Sequence, residues 1–396
     1  MIQCLEKAQS LNVLDIGHQL AQEFAKTAPE RDRNGGSRPI HEIEQLRQSC
    51  LLNLVIPKIY GGLGETSWVK IFQLIREFSK ADGSIGQLFG NHTSIVSSLS
   101  TSNPTQVEQF YLETVKHNWF WANAVNVLDP RLVATSTSWG WQLNGIKRFA
   151  TGASLSDRMI VSALNADSQQ PIIAVVPSDR PGIHFNGDWD NMGQRQTDSG
   201  SVTFEQVLVR PDEILTSIYA NDSPIVSLLN VFKQLNQVNI YLGIIQGAFA
   251  AARDYTTTRT RPWITSGIEQ AIQDPYILHH YGEFWMDLEA ATLLSDRAAQ
   301  VLQAANEQGI NLTAQQRGEA AIAVYTAKAF VTKIGLAITT QMFDVMGASA
   351  TTRSYDFDRY WRNLRTATLH DPVDYKIREV GNWALTGTVP TITPYS

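Results

Sequence analysis

A β-forming stretch in the middle of the chain decides the fold class: residues 141–152 read WQLNGIKRFATG. Within this stretch Asn144-Gly145 is a strong signal for a two-residue hairpin turn. Short runs rich in β-branched and aromatic residues continue to about residue 210, and turn signals such as Pro181-Gly182 separate them. This spacing predicts a small antiparallel barrel or sandwich.

Helical periodicity surrounds the β region on both sides. Before it, Asn103 followed by Pro104 is typical of a helix start. After it, apolar residues form one stripe from Ile225 to Phe249, two more long helical stretches follow at about 276–305 and 313–346, and Pro372 is expected to begin a fourth. We therefore predict an α+β fold. Its expected parts are a helical domain at residues 1–118, a central β-barrel domain at 119–212 and a helical bundle at 213–396.

Composition and charge exclude several classes of protein. The chain has 396 residues, 43% of them hydrophobic and 18% charged, which is typical of a globular protein. A formal net charge of -6 argues against nucleic-acid binding. Cys4 and Cys50 are too few for a disulfide framework and favour a reducing compartment. Without a recognisable export signal or a clean membrane span, we expect a soluble, cytoplasmic protein.

Common catalytic motifs are missing from the sequence. No GxGxxG follows a strand, so the chain has no nicotinamide site of its own, and no phosphate-binding GxxxxGK[ST] occurs. The histidines are scattered except for His279-His280, whose side chains would face different ways on a helix, so we expect no metal site.

Three polar segments remain, and each has a structural alternative to a functional one. Residues 147–153 (KRFATGA) can be a strand that ends in a glycine turn. Arg259 and Arg261 can be the cationic end of a helix, which the helix dipole favours. Asp371 can be a helix N-cap before Pro372, with His370 incidental.

Together these segments resemble the acyl-CoA dehydrogenase fold. Within it they most resemble the flavin-dependent monooxygenase branch of dibenzothiophene monooxygenase and sulfone monooxygenase-like enzymes. The resemblance covers nearly the whole chain and is carried by VIPKIYGGLGE, NGIKRFATGA, MGQRQTDSGS, YLGIIQGAFAAARDYTTTRTRPW and YWRNLRTATLHDPVDYK.

The resemblance implies an oxygenase and not a desaturase. A dehydrogenase of this fold needs a carboxylate base, but its usual position corresponds to His370 and its alternative position to Lys233-Gln234. We expect a two-component monooxygenase that uses FMNH2 and dioxygen, through a C4a-hydroperoxyflavin, to oxygenate a small, mostly apolar organosulfur or other heteroatom compound. FAD is possible in place of FMN. A separate NAD(P)H flavin reductase would supply FMNH2, and a homotetramer is expected by analogy.

The resemblance also implies site residues. The expected catalytic residues are His370, Asn123 and Thr151. The expected cofactor-binding residues are Phe149, Thr151, Gly152, Arg261 from a neighbouring subunit, Ser349 and Arg353, where Arg353 could compensate for the family arginine that Ser349 replaces. The expected substrate-binding residues are Gln87, Asn91, His92 and Trp189.

Alternatives remain open at this stage. Phe149 can be barrel core, Trp189 can cover the barrel as a loop residue, and Gln87 and Asn91 can be surface amides. The alternative functions are an acyl-CoA dehydrogenase-type oxidoreductase, a flavin-dependent N-hydroxylase, and a non-catalytic descendant that binds a ligand.

Overall fold

A computed structural model describes residues 12–35, 38–126, 128–220 and 223–393; Cys4 lies outside these ranges. The predicted order of helices, β-structure and helices is confirmed. The helices before the sheet are α1 (Val13–Arg33), α2 (Ile40–Gln48), α3 (Trp68–Ala81), α4 (Gly83–Ser98) and α5 (Pro104–His117). Those after it are α6 (Pro224–Thr258), α7 (Pro275–Glu307), α8 (Ala314–Met346), α9 (Asp358–Ala367) and α10 (Val373–Thr386).

The middle of the chain forms one seven-stranded sheet with its own apolar core. Its strands are β1 (Trp121–Ala124), β2 (Leu132–Thr137), β3 (Gly140–Lys147), β4 (Arg158–Asn165), β5 (Pro171–Pro177), β6 (Ile183–Phe185) and β7 (Val202–Val209). The strand order is β1-β4-β2-β3-β7-β6, and β5 pairs with the other edge of β4. The prediction of a purely antiparallel sheet is wrong, because β4 runs parallel to both β1 and β2.

The predicted hairpin at Asn144-Gly145 is also wrong. Both residues lie inside β3, where the pairing with β7 shifts register at a β-bulge. Gly145 has φ +130, and a Cβ there would lie 2.0 Å from the Arg131 carbonyl oxygen. Glycine therefore permits both the bulge and the close approach of the residue that precedes β2. The turn between β2 and β3 is at Ser138-Trp139 instead.

Helix α6 is the centre of the molecule. It packs against α3 and α4 of the amino-terminal part and against α7, α8 and α9 of the carboxy-terminal part. Helix α8 is long and apolar enough to cross a membrane by length and composition, yet 61% of its most apolar window is buried inside the protein. Burial in the bundle core accounts for its apolar character.

Side-chain caps fix the starts of the helices that matter for the site. The Asp82 carboxylate accepts the Ser84 N–H at 2.8 Å and so begins α4. It also pairs with Arg31 of α1 at 2.7 Å, which ties the start of α4 to the neighbouring helix. At α5 the predicted start is confirmed, since Asn103 accepts the Thr105 N–H at 3.0 Å and Pro104 is the first helical residue.

The contact between α3 and α6 provides the first prediction. A Cβ on Gly243 of α6 would lie 2.3 Å from the Arg76 carbonyl oxygen of α3, which is backbone and cannot rotate away. Gly243→Ala should therefore force the helices apart and lower the free energy of unfolding by about 1–3 kcal/mol in urea denaturation. The control is Gly381→Ala on α10, where a Cβ would meet no atom within 4 Å and alanine should be neutral or stabilising. Equal effects of both changes would contradict the packing argument.

Candidate active site

The turn after β3 carries Thr151 in a conformation that the sequence supports. Phe149 has φ +58 and Gly152 has φ +73, so two residues of this turn adopt the left-handed backbone conformation. A Cβ on Gly152 would lie 2.9 Å from Leu88 Cδ2 of α4, and the positive φ disfavours any other residue. Glycine thus brings Thr151 close to α4.

A chain of hydroxyl groups connects this turn to the loop before β7. Thr151 Oγ1 lies 2.9 Å from Ser199 Oγ, which lies 2.8 Å from Thr197 Oγ1. The Gly152 N–H donates to the Thr197 carbonyl at 2.9 Å. Thr197 Oγ1 in turn donates to the Gln194 carbonyl at 2.9 Å. These bonds hold residues 194–199 against the Thr151 turn.

Three side-chain amides lie near the same turn, two on α4 and one on β1. Gln87 and Asn91 are four residues apart and share one face of α4. Asn91 Nδ2 donates to the Thr151 carbonyl at 3.3 Å, and Asn91 Oδ1 accepts from Asn123 Nδ2 of β1 at 2.6 Å. The structure thus brings Gln87, Asn91, Asn123 and Thr151 together, and the surface-amide alternative for Asn91 is wrong.

Two aromatic rings stand beside the cluster. Phe149 is 65% exposed, so the barrel-core alternative is wrong. Its ring meets Trp189 edge-on, with centroids 6.3 Å apart. Trp189 is half-buried, and its Nε1–H donates to the Gln194 carbonyl at 2.9 Å. The pair forms an apolar surface that the chain itself leaves uncovered.

His370 occupies the turn between α9 and α10, with about half of its side chain exposed. Its Nδ1 lies 3.0 Å from Asp371 Oδ1 and donates to that carboxylate, which orients the ring. Helix α9 connects this turn to the Thr151 cluster, because Asn363 Oδ1 accepts the Gln194 backbone N–H at 2.7 Å.

Asp371 is held by buried lysines and does not cap α10. Lys328 of α8 is 1% exposed and donates to Asp371, to Gln234 and, at 2.8 Å, to Gln237. Lys376 Nζ lies 3.7 Å from the other carboxylate oxygen. The N-cap position of α10 is Pro372, so the N-cap alternative for Asp371 is wrong. A buried ion pair anchors the turn that carries His370.

The ionisation of this pair follows from its surroundings. Burial opposes the charge on Asp371, but the hydrogen bonds from His370 and Lys328 and the charge of Lys328 hold its pKa well below the usual range. Burial lowers the pKa of Lys328 to about 8, and the adjacent Asp371 limits the fall. Both groups are charged at neutral pH, and Asp371 is not a free base.

His92 is a correction to the predicted substrate site. It is 1% exposed, its Nδ1 accepts the Trp121 N–H at 3.0 Å, and its Nε2 donates to the Leu52 carbonyl at 2.7 Å. Both ring nitrogens are therefore committed to the backbone. On α4, His92 follows Asn91 directly and so points about 100° further around the helix, toward the protein interior. Its role is to join α4 to β1.

The predicted phosphate-binding residues lie at one end of the bundle. The ends of α6 and α8 meet there, since Thr260 Oγ1 donates to the Met346 carbonyl at 3.3 Å. Arg261, Ser349 and Arg353 follow these ends and are all exposed. Arg259 is the C-cap residue of α6 and lies over the Tyr355 ring. Among the described residues, no hydrogen bond or ion pair joins Arg261, Ser349 or Arg353 to the Thr151 turn of the same chain.

Sequence reasoning missed residues that support the site. Gln194 and Ser199 lie within MGQRQTDSGS, which the resemblance already used, so their position was available but their role was not. Lys328 and Lys333 interrupt an otherwise apolar stretch at residues 320–338. A lysine on the buried face of a core helix requires a buried partner, and this was the signal that could have found the pair.

Comparison with known protein families identifies the class. The acyl-CoA dehydrogenase N-terminal, middle and C-terminal domains match residues 16–115, 125–207 and 235–375. Together with the fold and the site, these matches show that the chain belongs to the acyl-CoA dehydrogenase family.

Similar proteins define the branch. The probable FMNH2-dependent monooxygenase SfnC of Pseudomonas putida is 46% identical over 386 residues, 97% of each chain. Dibenzothiophene monooxygenase of Rhodococcus qingshengii is 42% identical over 391 residues, 95% of this chain and 93% of that one. Methanesulfinate monooxygenase MsuC from Pseudomonas fluorescens aligns with a TM-score of 0.95 at 45% identity, covering 98% of this chain and 100% of the other.

The FMN-bound enzyme TdsC from Paenibacillus sp. A11-2 aligns with a TM-score of 0.92 at 41% identity, covering 97% and 99%. The predicted fold, family and monooxygenase class are therefore confirmed.

The residues of this chain fit a flavin mononucleotide. The uncovered Phe149–Trp189 surface suits a flat ring system, and Thr151 offers a hydroxyl at its edge. The exposed Arg261 guanidinium suits a terminal phosphate. These groups match the parts of such a cofactor: an apolar surface for the ring system, a hydroxyl for its polar edge and a cation for its phosphate.

The uncharged state of His92 predicts a pH dependence. Burial lowers its pKa from 6.5 to about 4, so the unfolded chain takes up a proton first as the pH falls. The stability contributed by neutral His92 is present above pH 6.5 and is lost toward pH 4, by about 3 kcal/mol in all.

Urea denaturation at several pH values should therefore show the stability advantage of wild type over His92→Gln shrinking as the pH falls from 7 to 4. The control, His41→Gln at an exposed position, should change the free energy of unfolding at pH 7 by less than about 0.5 kcal/mol. A pH-independent His92→Gln difference would contradict the assignment.

The Lys328–Asp371 pair predicts a large stability change. Lys328→Met leaves Asp371 without its principal counter-charge and should lower the free energy of unfolding by about 3–5 kcal/mol. Lys333→Met, an exposed lysine on the same helix, should change it little. The double variant Lys328→Met/Asp371→Asn should recover part of the loss, because the carboxylate that lost Lys328 is no longer charged, while the loss of the Lys376 contact limits the recovery. Failure of that recovery would show that the lysine acts by packing alone.

Proposed function

We propose that this chain is the oxygenase component of a two-component, cytoplasmic monooxygenase. It uses FMNH2 and dioxygen to oxygenate a small, mostly apolar organosulfur compound, as in desulfurization. The observation that carries the proposal is the state of the turn at His370. The neighbouring carboxylate of Asp371 is buried and locked by Lys328, while the His370 ring is half exposed. The similar FMNH2-dependent and dibenzothiophene monooxygenases support the same reading.

A dehydrogenase reaction is disfavoured by the same geometry. Taking a proton from the carbon next to a thioester needs a carboxylate that is free to accept it. Asp371 accepts from His370 and Lys328 instead, and its pKa is held low. At the alternative base position the buried side chain is the amide of Gln234.

Each predicted residue has a chemical task in the proposal. When bound, reduced FMN would supply the electrons that activate dioxygen. Thr151 and Asn123 offer a hydroxyl and an amide beside the ring. His370, oriented by Asp371, holds or moves a proton through Nε2.

The cofactor site is completed by a second chain in this proposal. Phe149, Thr151 and Gly152 line the ring and Trp189 lies on the substrate side. Arg261 of a neighbouring subunit, helped by Ser349 and Arg353, binds the phosphate. FMN is favoured over FAD by the FMN-bound TdsC structure. The chain lacks a nicotinamide fingerprint, so a separate NAD(P)H flavin reductase supplies FMNH2.

An exposed apolar face supports the proposed homotetramer. Helix α7 and the loop before it carry large apolar side chains that are more than half exposed: Trp263, Ile264, Tyr276, Leu278, Trp285, Met286 and Leu293. A patch of this kind is typical of a subunit interface. It lies next to Arg261 in the chain, which is where a shared site needs the contact.

The test follows the oxygen atom. Purified protein, a flavin reductase, NADH and FMN are incubated under labelled dioxygen with dibenzothiophene or dimethyl sulfone, and mass spectrometry measures the label in the product. One labelled oxygen atom per product molecule is expected. His370→Ala should retain FMN binding and lower labelled product per NADH by about 100-fold or more, because no side chain then holds or transfers the proton at the reacting oxygen.

The matched control is His184→Ala on β6, whose side chain is also about half exposed and should leave product unchanged. If no heteroatom substrate acquires label while acyl-CoA bleaches the bound flavin without oxygen, the dehydrogenase alternative replaces the proposal. Labelled oxygen on an amine, and on no sulfur compound, would assign the N-hydroxylase alternative.

A further inference from the structure

One amide group near Thr151 has an orientation that its neighbours fix. Gln194 is 1% exposed, and its Nε2 donates to the Gly83 carbonyl at 3.3 Å. A carbonyl oxygen accepts hydrogen bonds and cannot donate them, so this contact identifies the nitrogen end of the Gln194 amide. The Ser84 hydroxyl, 3.2 Å from Gln194 Oε1, is consistent with the same orientation. Gln194 therefore cannot be flipped without losing its partners.

The orientation of Gln194 determines that of Gln87. Gln194 Nε2 also lies 2.9 Å from Gln87 Oε1 and donates to it. The carbonyl end of Gln87 is thus turned toward Gln194, and its NH2 end points the other way. Among the described residues no partner binds Gln87 Nε2, and the side chain is only partly buried. The site presents two N–H donors at this position.

The neighbouring amides do not offer the same group. Asn91 Nδ2 donates to the Thr151 carbonyl, which fixes the Asn91 amide in the same manner. Its oxygen then accepts from Asn123 Nδ2, so Asn123 presents the acceptor Oδ1, to which no residue of the described part of the chain donates. A ligand oxygen that carries no proton is repelled by Asn123 Oδ1. The same oxygen can accept a hydrogen bond from the Gln87 NH2 group.

We infer that the substrate carries a hydrogen-bond-accepting oxygen on its sulfur atom, as a sulfone or a sulfinate does, and that Gln87, oriented by Gln194, recognises this oxygen. The inference rests on the proposed function for the identity of the sulfur compound. It makes Gln87 a specificity-determining residue and Gln194 its positioning residue.

The cost of an unmatched donor gives the inference its magnitude. A thioether sulfur is a weak acceptor, so a bound thioether would bury the Gln87 NH2 group without a partner. An unsatisfied buried donor weakens binding by roughly 10- to 100-fold. Sites that bind a polar group through fixed donors discriminate strongly against analogues that lack it.

The experiment measures ligand binding to the FMN-loaded protein, separately from the turnover assay described above. Isothermal titration gives the Kd values of dimethyl sulfone, methanesulfinate and dimethyl sulfide. Wild type should bind at least one of the two oxygenated compounds about 10-fold or more tightly than the sulfide. A preference for the sulfone identifies a neutral substrate, and a preference for the sulfinate identifies an anionic one.

Two variants test the residue. Gln87→Glu keeps an oxygen for Gln194 to donate to but removes the NH2 group, and Gln87→Met removes both functions at similar length. Each should weaken binding of the oxygenated compound by roughly 10- to 100-fold while the Kd of dimethyl sulfide changes by less than about threefold. Thermal unfolding confirms that both variants fold, and Gln300→Glu on the exposed face of α7 is the matched control.

Two results would overturn the inference: sulfide binding as tight as that of both oxygenated compounds, or an unchanged preference in folded Gln87→Glu and Gln87→Met. Because these are binding measurements, they are independent of turnover. Absence of labelled product from every sulfur compound would refute the proposed function, whereas labelled product with no oxygen preference would refute the inference alone.

Discussion

The buried ion pair between Lys328 and Asp371 is the constraint on which the candidate site depends. Lys328 projects from the core of the bundle, where its burial would be costly without acceptors. Asp371, Gln234 and Gln237 supply them, and these residues come from the α9–α10 turn and from α6. The pair therefore fixes the turn to the bundle, and with it the His370 ring.

The same ion pair disfavours a dehydrogenase reaction in this chain. Acyl-CoA dehydrogenation needs a carboxylate that is free to accept a proton from carbon. Here the carboxylate beside the predicted base position is paired with buried lysines, and its pKa is held low. The side chain at the predicted base position itself is the half-exposed imidazole of His370.

Hydrogen-bond direction provides the second layer of organisation. Backbone carbonyls of Gly83 and Thr151 can only accept, so they orient the amides of Gln194 and Asn91. Those amides orient Gln87 and Asn123 in turn. His92 applies the same principle in the interior, where two backbone contacts fix its neutral tautomer and connect α4 to β1. The polar side chains of the site are consequently ordered before any ligand arrives.

Local sequence determined where the helices lie and that strands lie between them, and it placed the start of α5 at Asn103 and Pro104. It also contained the segments that identify the family. Local sequence can do this because caps, periodicity and turn residues act over a few positions. It failed at Asn144-Gly145, since a bulge and a hairpin use the same residues and only the pairing with β7 distinguishes them. It also placed His92 in the substrate site, although the packing of α4 turns that side chain into the interior. The tertiary structure alone decided which amide nitrogens remain free, which carboxylate is neutralised and which aromatic rings stay exposed. These properties arise from contacts between residues far apart in the chain, such as Lys328 with Asp371 and Gln194 with Gln87, which no local pattern encodes.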